Sequence, residues 1–259
     1  HLHALDGRSY AAYKAIVGRY RAPAGWFLHI DRVQSDPYAP PTRIHVDVPT
    51  DLHGLALLDE ADLLADVDRR LAVGDFLTRE LHAGFRGTAL SIASPGQEIL
   101  ERSSVILRPD EQNEGAGWVL EIRARLALPA QGRSIQGREA SRIVGRDLVR
   151  ELEEATDLTG ERGDRLVRHV AILEDHRALR AAVARNGWVS FLADGAVLPR
   201  RSGVSDEPLD GGVPLQAPDS MAATVELPHA GTVRGTVVEA GVNVIVGGGY
   251  HGKSTLLSA

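Results

Sequence analysis

The chain has 259 residues, is 43% hydrophobic and 25% charged, and carries a net charge of −6; this is the composition of a soluble globular protein with one large domain or two ordinary ones. The negative total excludes a molecule that adheres to nucleic acid over its whole surface, so any basic surface is local. The lack of cysteine excludes disulfides, thiolate metal sites and cysteine nucleophiles, and without a membrane-length apolar run or a signal-peptide pattern a cytoplasmic protein with no membrane span is expected.

Taken in order, Ser9 to Val17 reads as a short helix with Tyr10, Tyr13 and Val17 on one face. Trp26 to Val33 alternates like a strand, with Trp26, Leu28 and Ile30 on one side. Arg43 to Val48 alternates again, with Ile44, Val46 and Val48 inward. The intervening Asp36-Pro37-Tyr38-Ala39-Pro40-Pro41 is a turn, so the two strands are expected to pair antiparallel. Glu60 to Leu81 carries Leu63, Leu64, Val67, Leu71 and Leu77 at helical spacing. Short strands are expected at Thr88 to Ala93, Ser103 to Leu107 and Trp118 to Leu126, with Asp110 to Gly117 as a polar hairpin loop. Two helices come next, Arg138 to Ala155 and Asp164 to Arg185, the second stopped by Asn186-Gly187. After a strand at Val189 to Leu192, the proline-rich stretch Pro199 to Pro218 reads as a linker. Ala222 to Leu227 and Thr232 to Glu239 form a hairpin that feeds a last apolar run, Val242 to Val246, expected as a buried strand.

That run leads into Gly247-Gly248-Gly249-Tyr250-His251-Gly252-Lys253-Ser254-Thr255, a full G-x-x-x-x-G-K-[ST] pattern. Glycines let successive backbone N–H groups converge on an anion, and the positive end of the next helix faces the same point. Lys253 is placed to reach the β- and γ-phosphates, and the Ser254 hydroxyl to ligate Mg²⁺. Tyr250 and His251 sit inside the loop, either touching phosphate or a neighbouring subunit or as variable positions. His169 and His176 lie seven apart without a third ligand and read as surface or helix-packing residues.

Arg138, Arg142, Arg146 and Arg150 recur at i, i+4, one helical face about 18 Å long. Such a row needs anions: either nucleic-acid phosphates, or the nearby Glu139, Asp147, Glu151 and Glu153 in a solvated face. Arg200 and Arg201, in a glycine- and serine-containing loop, are either a phosphate clamp, in cis or across a dimer, or the anchors of a linker.

Leu5 to Lys14, His29 to Ala39, Pro95 to Arg102, Leu126 to Pro129 with Gly137 to Ala140, Leu198 to Asp206, and the glycine loop together resemble the predicted ATPases of the ABC class. The resemblance runs from Leu5 to the end of the chain. It implies an ABC-type ATPase without membrane domains, dimers that sandwich ATP, and a nucleic-acid partner, RNA in particular. It carries phosphate and metal roles onto Gly247, Gly249, Gly252, Lys253, Ser254 and Thr255. No aromatic residue lies between Phe191 and Tyr250, so no adenine-stacking residue is identified.

The fold class expected is α/β: an α+β domain with a mainly antiparallel sheet over 1–198, a linker over 199–218, and the start of an ABC-type P-loop domain over 219–259. Residue 1 is His and Met221 is the one Met, so the natural start is expected upstream, and the Walker B, signature and switch residues beyond Ala259. The function expected is ATP binding with Mg²⁺ by Gly247, Gly248, Gly249, Tyr250, His251, Gly252, Lys253, Ser254 and Thr255, with Lys253 catalytic, in a homodimeric ATPase. This stretch alone is not expected to hydrolyse ATP. The alternative is a nucleic-acid-binding module in which the nucleotide is only a structural switch; a P-loop kinase is disfavoured by the long segment before the loop.

Overall fold

A strand buries one face when apolar residues fall at every second position, and three stretches of the N-terminal half carry that pattern strongly enough to build a sheet. In the computed structural model, residues 1–52, 54–111, 117–205, 207–249 and 252–258 are described. They form two compact units, His1–Val170 and Ala171–Ala259. Residues 199–218, expected as a linker, lie within the second unit.

The first unit is organised on a six-stranded antiparallel sheet. Its strands are β1 (Gly18–Arg21), β2 (Phe27–Arg32), β3 (Thr42–Pro49), β4 (Leu90–Ser91), β5 (Val105–Pro109) and β6 (Trp118–Leu126). The order is β1-β2-β3-β6, and β4 and β5 both pair with the remaining edge of β6. Leu28, Ile30, Ile44, Val46, Val48, Leu120, Ile122 and Leu126 are buried on the inner face, so the expected pairing and its facing residues are borne out. The hairpin loop expected at Asp110 to Gly117 is closed by Asp110 N–H donating to Gly117 O at 2.8 Å; residues 112–116 within it lie outside the described residues.

Two helix expectations are corrected. The segment after Ser9 is a 3-10 helix, Tyr10–Ile16. With three residues per turn, Tyr10, Tyr13 and Ile16 stack on the buried face, while Val17 is 51% exposed. After a short α1 (Leu57–Glu60), the long helix α2 (Val67–Gly84) starts seven residues later than Glu60. Asp66 decides this: its Oδ1 accepts the Arg69 N–H at 2.9 Å, an N-cap that fixes the first turn. Leu63 and Leu64 are buried in the turn before it, and α2 buries Val73, Phe76, Leu77 and Leu81 instead of Val67 and Leu71.

A small hairpin, β7 (Ala130–Gln131) and β8 (Ser134–Ile135), precedes α3 (Gly137–Arg142), a π-helical turn at Ile143–Asp147, and α4 (Leu148–Thr156). α2 packs on β5 and α4. The chain then enters α5 (Glu161–Arg185), within which the two units divide. Asn186 N–H closes its end on Ala182 O at 3.0 Å, as the Asn-Gly stop requires.

Several of the motif stretches form one packed cluster. Tyr10 and Tyr13 meet edge to face at 5.0 Å, and their hydroxyls donate to Leu128 O at 3.2 Å and Pro129 O at 2.8 Å. Burial pushes the Tyr10 hydroxyl up to about 12, with Asp36 adding to it. The Asp6 carboxylate caps α3 by accepting the Gly137 N–H. These residues tie the start of the chain to the segment before α3 by packing and hydrogen bonding.

The second unit contains β9 (Trp188–Ala193), β10 (Ala222–Leu227) and β11 (Gly231–Glu239) in the antiparallel order β10-β11-β9. The Asp175 carboxylate accepts the N–H groups of His229 and Ala230, both at 2.9 Å, and so holds the hairpin turn. Arg234 donates to Asp194 at 2.6 Å and Asp219 at 2.9 Å, and Asp194 also accepts Ala217 N–H at 2.6 Å. The proline-rich stretch is thereby tied to the sheet at its end.

Candidate nucleotide-binding site

The expected hairpin forms, with Ala222 to Leu227 opposite Gly231 to Thr236 in register. The strand expected after it is a correction: Val242 to Val246 is not a strand in the structure. Val242 is 96%, Val244 75% and Val246 82% exposed. A P-loop strand is central in its sheet and needs ladder partners on both edges, and none of the described residues supplies them.

The glycine loop itself is curled. Gly252, at φ +76°, takes the left-handed conformation that glycine adopts without strain, and α6 (Lys253–Ser258) begins directly after it. Leu256 N–H donates to Gly252 O at 2.9 Å, closing the first turn. The Lys253 ammonium folds back over the loop, donating to Gly247 O at 2.8 Å and to Gly248 O. A Cβ on Gly249 or Gly252 would meet nothing within 4 Å, so the backbone is open on that side. Lys253 and Thr255 are half-buried and Ser254 is exposed. Tyr250 and His251 lie outside the described residues. The parts present fit a phosphate group: one cation centred over a glycine loop with free space beside it, at the positive end of a helix.

The arginine row is placed on α3, the π-turn and α4, and most of it is already neutralised. Arg142 bridges Glu139 and Asp147, at 2.6 and 2.7 Å. Arg150 pairs with Glu151, and Arg138 lies 3.8 Å from Asp6. Arg146 is exposed, and no carboxylate partners it among the described residues. Arg201 pairs with Glu207 and Asp210, at 2.5 and 3.4 Å, while Arg200 donates to Val197 O at 3.2 Å.

Two clusters were not legible in the sequence. Asp75, on α2 and 1% exposed, accepts from Arg79 at 2.7 Å, Arg102 at 2.9 Å and His169 at 3.1 Å. Burial alone would push its carboxyl up; the hydrogen bonds from His169, Arg79 and Arg102 outweigh it and hold it at about 2. Arg79 and Arg102 also donate to Glu98 O, which pins the Pro95–Arg102 stretch. His169 is therefore a packing residue, as expected, although its partner is a buried acid.

The second cluster is His29, His45 and Asp47, whose donor atoms lie within 4.8 Å of one another. The spacing of 16 and 2 residues hides it, and antiparallel pairing of β2 with β3 creates it. The imidazoles stack at 4.1 Å and 11°, so their lone pairs run side by side and do not converge on one ion. Arg108 Nη2 already stands 2.9 Å from Asp47 Oδ1, supplying the positive charge. Burial pushes the His29 imidazole below its usual value, and His45 adds to that.

The glycine-rich pattern that ends in a lysine at a helix start is the sequence motif of a P-loop protein. Comparison with known families matches both parts of the chain. The family described as "ATPase of the ABC class N-terminal" matches residues 1–158, and an ABC ATPase P-loop domain matches residues 162–259. The chain belongs to the ABC-class ATPases. No curated protein matches it. Among the described residues no helix is long and apolar enough to cross a membrane.

Proposed function

We propose that the chain binds ATP and Mg²⁺ through Gly247 to Thr255, in a cytoplasmic protein that hydrolyses ATP as a homodimer. The observation that carries this reading is the placement of the Lys253 ammonium over the Gly247 and Gly248 carbonyls at the start of α6. On binding, the ammonium exchanges carbonyl oxygens for phosphate oxygens, which attract it more strongly. Loop N–H groups and the α6 terminus hold the remaining oxygens, and the Ser254 hydroxyl supplies a metal ligand. Mg²⁺ neutralises phosphate charge when bound. Family membership supports the dimer and the hydrolysis. The test is titration with a fluorescent ATP analogue, comparing wild type with Lys253→Ala. Unchanged affinity in the variant would remove the site assignment.

A further inference from the structure

Two polar clefts lie side by side on the N-terminal sheet, divided by Arg43 and Arg125, which line both. Arg32 on β2 stands opposite Arg43 on β3, and Arg43 stands opposite Arg125 on β6. All three are exposed, and none has a carboxylate partner among the described residues. Like charges directly opposite one another destabilise a sheet, and anions set between them remove that cost. The row exists because β2 has one residue more than β3 between the Ile30–Ile44 and Arg32–Arg43 rungs. In a regular ladder Asp31 would face Arg43; the bulge turns it to His45 instead, at 2.9 Å.

Each cleft also holds a buried polar group that the fold leaves unpaired. The smaller, of about 300 Å³, is lined by all three arginines and by no acidic residue. Gln34 lines it and is 7% exposed. Its Oε1 accepts the Leu128 N–H at 3.4 Å, which leaves the side-chain NH2 as a donor without a partner among the described residues. The larger cleft, of about 800 Å³, adds Arg123 and the hydroxyls of Ser91, Ser103 and Ser104. Ser104 is likewise 7% exposed, and its hydroxyl has no partner among the described residues. Buried polar groups are ordinarily hydrogen-bonded, so these two mark positions for a ligand's polar atoms. Asp31, the one acid on this lining, already faces His45.

We propose that the paired clefts bind a small sugar carrying two phosphate groups, laid across Arg43 and Arg125. The volumes are those of small-molecule sites. A phosphate monoester carries about −1.5 to −2 at neutral pH, so two of them match three guanidinium charges and one does not. With strands about 4.8 Å apart, the three stems span about 10 Å, more than a single phosphate engages. One phosphate takes the donor-only smaller cleft, between Arg32 and the Gln34 amide. The other takes the far side of Arg43 and Arg125, where guanidinium forks suit its oxygens. The serine hydroxyls there both donate and accept, which suits a hydroxylated body. Neither cleft is lined by Phe, Tyr or Trp, so a nucleobase finds none of these rings to stack on. The site shares no residue with the glycine loop and does not depend on the nucleotide reading.

The test is isothermal titration of the full chain with fructose 1,6-bisphosphate, fructose 6-phosphate and citrate as probes. The bisphosphate is expected to bind about tenfold or more tightly than the monophosphate, because the second phosphate adds charge-assisted hydrogen bonds. The double variant Arg43→Gln with Arg125→Gln relieves like-charge repulsion, so it is expected to melt no lower than wild type, which shows that it folds. Its affinity for the bisphosphate is expected to fall about tenfold or more. Lys253→Ala is expected to bind the bisphosphate like wild type, which separates this site from the glycine loop. The proposal is overturned if wild type does not bind the bisphosphate, or if the double variant binds it like wild type. It is equally overturned if the monophosphate or citrate binds as tightly, or if Lys253→Ala abolishes binding, since that places the ligand on the glycine loop.

Discussion

Asp6 Oδ1 accepts the backbone N–H of Gly137 at 2.6 Å, joining residues 131 positions apart. The same oxygen lies 3.4 Å from the Arg138 N–H, so an aspartate near the chain start caps a helix more than half the chain away. Gly137 is the counterpart of that contact. A Cβ there would lie 2.4 Å from Leu2 O and 2.8 Å from Asp6 N. Asp6→Ala is expected to cost about 1 kcal/mol, the usual loss of an N-cap. Gly137→Ala is expected to cost about 2 kcal/mol, because backbone atoms on both sides must move. Urea denaturation of the two variants checks the order; an Asp6→Ala penalty larger than that of Gly137→Ala would contradict it.

Asp75 gathers three basic side chains at a buried position of the first unit. Asp75→Asn leaves Arg79, Arg102 and His169 around a neutral amide and is expected to destabilise the unit by about 3 kcal/mol. In wild type the carboxyl falls from an ordinary 3.8 to about 2 on folding. A depressed value means that its stabilisation is complete above 3.8 and disappears as the pH falls toward 2, an effect on the order of 2 kcal/mol. Melting curves of wild type and Asp75→Asn across that acid range should converge. Parallel curves would show that Asp75 does not titrate there.

Nucleotide binding should be visible as stabilisation. ATP with Mg²⁺ at roughly 100 times its dissociation constant is expected to stabilise the wild-type chain by about 2.7 kcal/mol. Lys253→Ala should show no such shift while melting at the wild-type temperature, since its Nζ contacts only exposed loop carbonyls. Ser254→Ala should keep ATP binding and lose the increment that Mg²⁺ adds. A thermal-shift titration with and without the metal separates the two.

The helical arginines should divide by their partners. Arg142 neutralises Asp147, which is 7% exposed, whereas Arg146 has no carboxylate partner among the described residues. Arg142→Ala is expected to melt below wild type, and Arg146→Ala at the wild-type temperature. Equal melting temperatures would mean that the Arg142 pairs are not stabilising.

The sheet was largely readable before folding was considered, because alternation is local. Leu28, Ile30, Ile44, Val46 and Val48 announce one buried face at period two, and the turn between them leaves only an antiparallel pairing. The glycine loop was readable for a similar reason: its chemistry lies within nine consecutive residues. Helix limits were less so. Asp66 as a cap, and the 3-10 period that exchanges Ile16 for Val17, are choices among competing local hydrogen bonds that tertiary packing resolves.

Sequence alone therefore determined the sheet's inner face and the family of this chain, each written in short-range order. Which charges are free was decided only by tertiary structure. The helical arginine row meets acids on its own helices and on Asp6, Asp75 gathers cations from three separated segments, and a one-residue bulge aligns Arg32 with Arg43 and Arg125. Charge pairing depends on distance in space, and that distance is set by strand register and helix packing rather than by position along the chain.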